Sequence, residues 1–444
     1  MGETVASGSF EMVHPRAAGI DVGDRSHFVA VPAAVGLPVI RQFETFTQDL
    51  YAIADWLQEH RVTTVALEST GIYWIPLFEV LDSRGFTVCL VDTRRLKSVP
   101  GRKTDVKDCQ WLQQLHTYGL LQNAFRPEEQ ITRLRTYLRQ RAMLISYASH
   151  HIQHMQKALQ QMNIKLSTVL SDITGVTGMT IIHAILNGER DPVKLARMRD
   201  PRCRNSEDTI AKSLKGHWRD DHVFELRQAV ELYQFYQQKF AECDQEIQTM
   251  LQSLPDKDHQ HPLTKKRTKQ NRNTPSFDAR TILFQKIGVD LTTIDGIDTN
   301  TALKVISEIG TNIRRWPTVK HFTSWLCLCP GNKISGGKVL SSKSRRSKNR
   351  AAAALRVAAQ TLARSNSAMG AYFRRLKTRL GAPAAITATA HKLARLIYAL
   401  LCHGHPYVDI GQDAFEQQYE QRMLKSLARR AQKLGYTLTP TTPS

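Results

Sequence analysis

The chain has 444 residues, 41% of them apolar, and a formal net charge of +21, which excludes a disordered chain and suggests about three domains. No run of ~18 apolar residues and no signal-peptide pattern occurs, and the seven cysteines, at 89, 109, 203, 243, 327, 329 and 402, make neither a disulfide framework nor a zinc spacing. A soluble cytoplasmic protein with no membrane partner is expected, and a pI near 9.8 calls for a polyanion, nucleic acid first.

The first hundred residues alternate short β-branched runs with helical patterns. "AGIDVGDRSHFVAV" (18–31) reads as strand, turn and strand, and "LPVIRQFETFT" as a third strand. The helical "TQDLYAIADWLQEH", the strand "VTTVALEST", the helical "GIYWIPLFEVLDSRG" and the strand "FTVCLVD" follow, and then a helix that opens in "GRKTDVKDCQWLQQL" (101–115). This order predicts an α/β domain with a mixed sheet.

From Ile131 the period changes. Ile131, Leu134, Leu138, Ile145, Ala148, Ile152, Met155, Leu159 and Met162 follow heptad spacing, broken by Arg141. Val223, Leu226, Val230, Tyr233, Phe240, Ile247 and Leu251 form a second seam, weakened by Gln237 and Asp244. Two coiled-coil helices are expected, paired within one chain or across a dimer. His150, His151 and His154 have metal-compatible spacing but read as solvent-facing or interface residues.

Between the seams, "LSDITGVTGMTIIHAILNG" resembles "LTTIDGIDTNTALKVISEIG" (291–310). Both look like a helix-hairpin-helix element whose glycine turn, at Gly296 in the second copy, offers N–H groups to a phosphate. Asp298 stands where that element usually has glycine. Residues 255–276 are polar and basic and read as an exposed linker.

Asp21 and Glu68 end two strands, while Asp105 and Asp108 open a helix after the last strand and share one of its faces. The plainer account of the latter pair is a helix N-terminus capped by Thr104 with an acidic first turn. Four carboxylates brought to one point repel unless cations sit among them. Two Mg²⁺ ions there would make the device that activates a nucleophile and stabilises a leaving oxygen at a phosphodiester. Arg102 and Lys103 would face the DNA phosphates. The first strand also looks like a phosphate loop of actin-like ATPases, but their second loop and adenosine motif are missing.

From Ile309 to Val408 there is no Asp or Glu, yet 18 Lys or Arg. Within that stretch "CPGNKISGGKVLSSKSRRSKNR" offers serine hydroxyls beside Gly336 and Gly337, which allow close backbone approach to a phosphate. Lys338, Lys343, Arg345, Arg346, Lys348 and Arg350 could hold it. By chemistry alone Ser335, Ser341, Ser342, Ser344 and Ser347 are equivalent, and a basic RNA-binding patch explains the composition as well.

The order of "GIDVGDRSHFVAV", "ALESTGIYW", "GRKTDVKDCQWL", "IDGIDTNTALKVISEIG" and "FTSWLCLCPGNKISGGK" resembles the DEDD-type insertion-sequence transposases, the bridge-RNA-guided serine recombinases of bacterial mobile elements. The resemblance implies a RuvC-like (ribonuclease-H-like) N-terminal domain whose Asp21, Glu68, Asp105 and Asp108 bind Mg²⁺, a coiled coil, and a mainly α-helical C-terminal transposase domain. It singles out Ser335, five residues after a proline, as the nucleophile of a covalent phosphoserine link. It further implies donor and target DNA, a structured bridge RNA, a dimer or tetramer sharing the site between protomers, and a nucleoid-associated bacterial setting.

The expected layout is therefore a catalytic α/β domain at 15–125, a coiled-coil middle with an insertion at 126–254, a linker at 255–280, the transposase domain at 281–425 and a tail at 426–444. The competing functions are a metal-dependent junction resolvase without a covalent intermediate and a non-catalytic nucleic-acid-binding scaffold.

Overall fold

The computed structural model describes residues 11–33, 38–69, 71–91, 105–258, 261–263, 272–405 and 407–439. The chain divides into two units, Met1–Arg126 and Pro127–Ser444. Among the described residues no helix is long and apolar enough to cross a membrane, and all seven cysteines are free thiols.

The first unit runs β1 (Ala17–Val22), β2 (His27–Val31), β3 (Val39–Phe43), α1 (Thr47–Glu59), β4 (Thr64–Glu68), α2 (Trp74–Ser83), β5 (Thr87–Val91) and α3 (Asp105–Thr117), the order expected from the sequence. The sheet order is β3-β2-β1-β4-β5; the β1–β2–β3 hairpins are antiparallel, and β4 runs parallel to β1 and β5. Inside the sheet, β4 is buried on both faces, which is why it reads as a continuous apolar run, and the edge strand β5 is buried over its last three residues.

The pleat sorts their side chains. Ala18, Ile20, Val22, Val65 and Leu67 join one core with Ile53 and Leu57 of α1 and Leu77 and Leu81 of α2. Ala66, Cys89 and Val91 pack on the other face against Leu112 of α3.

α3 is also tied to the sheet by hydrogen bonds. Gln113 Nε2 donates to Ala17 O at 3.2 Å, and His14 N to Thr117 O at 2.9 Å. The Thr64 hydroxyl donates to Thr87 O at 2.9 Å, so His116 Nε2, 2.8 Å away, must carry the proton that Thr64 Oγ1 accepts. Burial, and then the neighbouring His14, pull the His116 pKa down to about 4. An unfolded chain would bind that proton near pH 6.5, so between there and about 4 the unfolded state holds the extra proton. Stability is thus fully present above that window and is lost as pH falls through it, by up to about 3 kcal/mol. Urea titrations at neutral and at mildly acidic pH should reveal this loss, and His116→Gln should remove it.

Among its described residues the second unit is helical apart from one hairpin, a β element not expected from the sequence. It contains α4 (Glu129–Gln161), α5 (Leu166–Val169), α6 (Val176–Leu186), α7 (Pro192–Arg197), α8 (Glu207–Ser213), α9 (Asp220–Ser253), α10 (Ala279–Ile287), α11 (Thr299–Ile309), α12 (Val319–Trp325), β6 (Lys333–Ser335), β7 (Lys338–Ser341), α13 (Arg350–Thr361), α14 (Ala368–Leu380), α15 (Ala382–His403) and α16 (Gln412–Lys433).

α4 and α9 pair within the chain and run antiparallel: Arg141 meets Asp244, His151 stacks on Tyr236, and His217 N donates to Met162 O. Two of the three polar interruptions of the seams, Arg141 and Asp244, meet each other. Arg141, 5% exposed, and Asp244, 2% exposed, form a bidentate pair at 2.5 and 3.2 Å. Asp244 also accepts from Ser276 N at 3.0 Å, and Arg141 donates to Asn273 O at 3.1 Å, so the pair pins the returning chain. Beyond it, Met155, Leu159, Met162 and Ile164 share a core with Ile181, Ile185, Leu195, Ile210 and Leu214 of the inserted helices.

α11 docks on α4 through Glu308, whose carboxylate takes Arg139 at 2.9 Å and Arg135 at 3.3 Å. The C-terminal helices surround α15. Tyr398 of that helix donates to Trp316 O at 2.8 Å, and Ala351, Ala352, Ala358 and Ala359 give α13 a small-residue face for close packing.

Candidate functional site

Alternation along β1 puts Gly19 and Asp21 on the face that α3 covers, opposite Ile20. The parallel register pairs Ile20 with Leu67, so the next step sets Asp21 beside Glu68, which shares the face of Ala66. On α3, Asp108 precedes Cys109, and the helix packs along this face through Cys109, Leu112, Gln113 and His116. Its N-terminal end lies at the carboxyl ends of β1 and β4, because Cys109 and Gln113 approach Gly19 whereas His116 reaches Thr64.

The Cys109 thiol reports the charge gathered there. Burial, then Asp21, and more weakly Asp108, push its pKa up to about 12. Asp21 and Glu68 are half-buried, and Asp108 Oδ1 is buried. Asp105 begins α3 one turn before Asp108; its side chain, Thr104, Arg102 and Lys103 lie outside the described residues. Hard carboxylate oxygens gathered at a strand edge suit Mg²⁺. Among the described residues no three His, Cys, Asp or Glu side chains form a group ready to hold a metal.

Gly19 is a site determinant that the sequence reading passed over, although a glycine inside a strand signals close backbone approach. A Cβ there would meet Gln113 N at 2.2 Å and Cys109 O at 2.4 Å. Both are backbone atoms, so α3 itself would have to move. Gly19→Ala should destabilise the protein by about 3 kcal/mol, as overpacking does, and displace Asp108 from Asp21. Thermal melts and nuclease assays on the same preparation check both effects.

Ser335 is the last residue of β6 and pairs across the hairpin with Lys338. Gly336 and Gly337 form the two-residue loop with φ of +51° and +76°, the positive values that a tight type I′ hairpin requires at both positions. A Cβ at either would meet nothing within 4 Å, so backbone conformation rather than space demands glycine. Ser335 is exposed, and among the described residues its hydroxyl has no hydrogen-bond partner. Lys338, Lys343, Arg345, Arg346, Lys348 and Arg350 are exposed around it. Gly331 N donates to Lys343 O and Arg345 to the Ser324 hydroxyl, which anchors the hairpin base.

Gly296 has φ of +83°, and a Cβ there would meet Ala358 O at 3.0 Å, so turn geometry and packing on α13 account for the glycine. Asp298 caps α11 by accepting from Thr301 N at 2.7 Å. That carboxylate stands at the helix end where a phosphate would bind. In the α4 histidine cluster, His151 stacks on Tyr236 with ring centroids 5.4 Å apart and the planes within 19°.

Two family models match the chain. The DEDD_Tnp_IS110 transposase model covers residues 18–164, with all four acidic positions, and the Transposase IS116/IS110/IS902 family model covers 290–374, with Ser335 and its basic cluster. The chain belongs to the IS110 family of DEDD transposases. It is a DNA transposase/recombinase, with DNA as its substrate. No curated protein matches it significantly.

Proposed function

We propose that this transposase exchanges DNA strands through a covalent phosphoserine formed by Ser335. Asp21, Glu68, Asp105 and Asp108 hold Mg²⁺, and a structured bridge RNA selects donor and target DNA. The observation that supports this best is the complementarity of two half-sites. On the acidic side, the charge of Asp21 and, more weakly, Asp108 is felt at the buried Cys109 thiol, whose pKa is pushed up to about 12. The exposed Ser335 has no hydrogen-bonded base among the described residues, and its neighbours in the chain are cationic.

Ser335 Oγ attacks phosphorus; the Oγ–P bond forms as the P–O3′ bond breaks, and the hydroxyl proton ends on the freed 3′ oxygen. The reverse exchange joins the new strand. The count of P–O bonds is unchanged, so no external energy source is required. Bound Mg²⁺ would supply Lewis-acid polarisation of the phosphate and lower the cost of ionising the hydroxyl. Lys338, directly across the hairpin from Ser335, stabilises charge on the phosphoryl oxygens. Lys343, Arg345, Arg346, Lys348 and Arg350 hold flanking phosphates, a role that Arg102 and Lys103, just before Asp105 in the sequence, would share.

Further parts of the reading are a dimer or tetramer, in which the acidic set of one protomer and Ser335 of another act on one phosphodiester, and an α4/α9 pair that forms an intramolecular coiled coil. The domain extents are 15–125, 126–254, 255–280, 281–425 and 426–444. The setting is the bacterial nucleoid.

The test uses purified protein, element-derived RNA and end-labelled junction DNA. With Mg²⁺, label should travel with the denatured protein; EDTA or Ser335→Ala should abolish that adduct. Cutting by Ser335→Ala at the parental rate, with no adduct in either protein, would instead establish a metal-dependent nuclease that uses water.

A further inference from the structure

A second cationic feature lies apart from Ser335, among α14, α15, α16 and the segment before α16. A cavity of about 490 Å³ is lined by Arg375, Arg379, Lys392 and Arg422 together with Tyr372 and Tyr407. Its size falls in the range of about 300–1,000 Å³ typical of small-ligand sites.

Its cations differ from the structural arginine next to them. Arg374 spends its donors on Ser365 O at 2.6 Å, Ala363 O at 3.3 Å and Gln412 Oε1 at 2.7 Å, locking α14 to α16. Arg375 instead lies with its guanidinium 3.3 Å over the Tyr419 ring, and its buried Nη1 has no hydrogen-bond acceptor. Among the described residues, none of Arg375, Arg379, Lys392 and Arg422 forms an ion pair; Arg422 donates only to Gln418, at 3.3 Å. Crowding by surrounding atoms, then Arg395 and Arg422, pull the Lys392 pKa down. Asp409, beside the cavity, already accepts from Ala368 N at 3.0 Å and Tyr407 OH at 3.4 Å.

Four cations around a cavity without carboxylate partners raise one another's energy until an anion arrives. A buried guanidinium N–H without an acceptor adds a donor that a ligand oxygen would satisfy. The rings add something a free phosphate does not need: aromatic faces between cations are the pattern by which unpaired strands are held, with phosphates on the charges and bases on the rings.

We propose that this cavity takes one unpaired nucleotide of a single-stranded nucleic-acid segment, its phosphate on Arg379, Lys392 and Arg422 and its base against Tyr372 and Tyr407. The assignment rests on nucleic acid being the partner class, and it is independent of whether Ser335 is the nucleophile.

The experiment measures anisotropy of labelled oligothymidylate, oligouridylate and a blunt duplex of equal length with the full-length protein over a range of salt. The exposed pair Arg379→Ala/Arg422→Ala should weaken single-strand binding at least about 10-fold and shallow its salt slope by up to about 0.7, the value for one phosphate contact. Duplex binding should be unchanged. Tyr372→Ala should cost about 5- to 150-fold on the single strand. A photoreactive iodouridine in the better-bound oligonucleotide should cross-link to the peptide carrying Tyr372 or Tyr407. A larger loss with uridylate identifies RNA as the natural strand, and with thymidylate displaced DNA.

Equal weakening of duplex and single strand, or no change with cross-links elsewhere, overturns the proposal. So does a change in oligomeric mass at constant affinity, which would make the groove a protein interface. The Ser335 adduct is read separately, so failure of one result leaves the other standing.

Discussion

Asp21→Asn should bind DNA as the parent does, melt no lower, and cut at least about 10³-fold more slowly, since several kcal/mol of charge stabilisation would be lost from the transition state. Asp21 is set beside Glu68 by the strand register and near Asp108 by the docking of α3, and its charge is felt at the Cys109 thiol. Asn keeps the size and shape of the side chain, so the fold should be retained. If the carboxylate served only the fold, the opposite pattern would appear: a lower melting temperature with the cutting rate preserved among folded molecules. Differential scanning fluorimetry and single-turnover cleavage on one preparation separate the two.

The largest stability effect is expected in the second unit. Asp244→Ala leaves Arg141, 5% exposed in the α4/α9 seam, as a buried charge without its carboxylate. Breaking such a pair costs about 3–5 kcal/mol. The variant also takes the acceptor from Ser276 N, which lies 3.0 Å from Asp244. Replacing both partners, as in Arg141→Met with Asp244→Leu, should recover most of the loss, because two apolar residues would fill the buried space between α4 and α9 without a charge to desolvate. Denaturant melts of the two variants against the parent measure this. A loss under about 1 kcal/mol in Asp244→Ala would mean that the pair is solvated rather than buried.

That same pair marks where the sequence could and could not be read. Strand and helix order in the first unit is legible because each run carries its own pattern: short apolar runs in β1, β2, β4 and β5, and helical spacing in α1 and α2. Arg141 and Asp244 read as flaws in two separate seams, 103 positions apart, and only their meeting explains both.

Gly19 was in plain view inside a strand, but its reason, the backbone of Cys109 and Gln113, arrives from a helix about ninety residues on. The carboxylates could be named singly from strand ends and helix spacing, whereas their shared face needed the β1–β4 register. The Ser-Gly-Gly-Lys turn carried a hairpin signal, two glycines between short β-prone runs, and was read as a phosphate-approach loop instead. The cation and tyrosine cavity was not legible at all, since its lining is drawn from three helices and the segment before α16.

The measurement that bears most directly on the central claim is the identity of the modified residue. Transposase trapped on suicide junction DNA with Mg²⁺, trimmed with nuclease and digested, should yield one phosphonucleotidyl peptide. Fragmentation should put the added mass on Ser335 and leave Ser341, Ser342, Ser344 and Ser347 unmodified. Modification of another of these serines, or cleaved DNA with no modified peptide, would contradict the account.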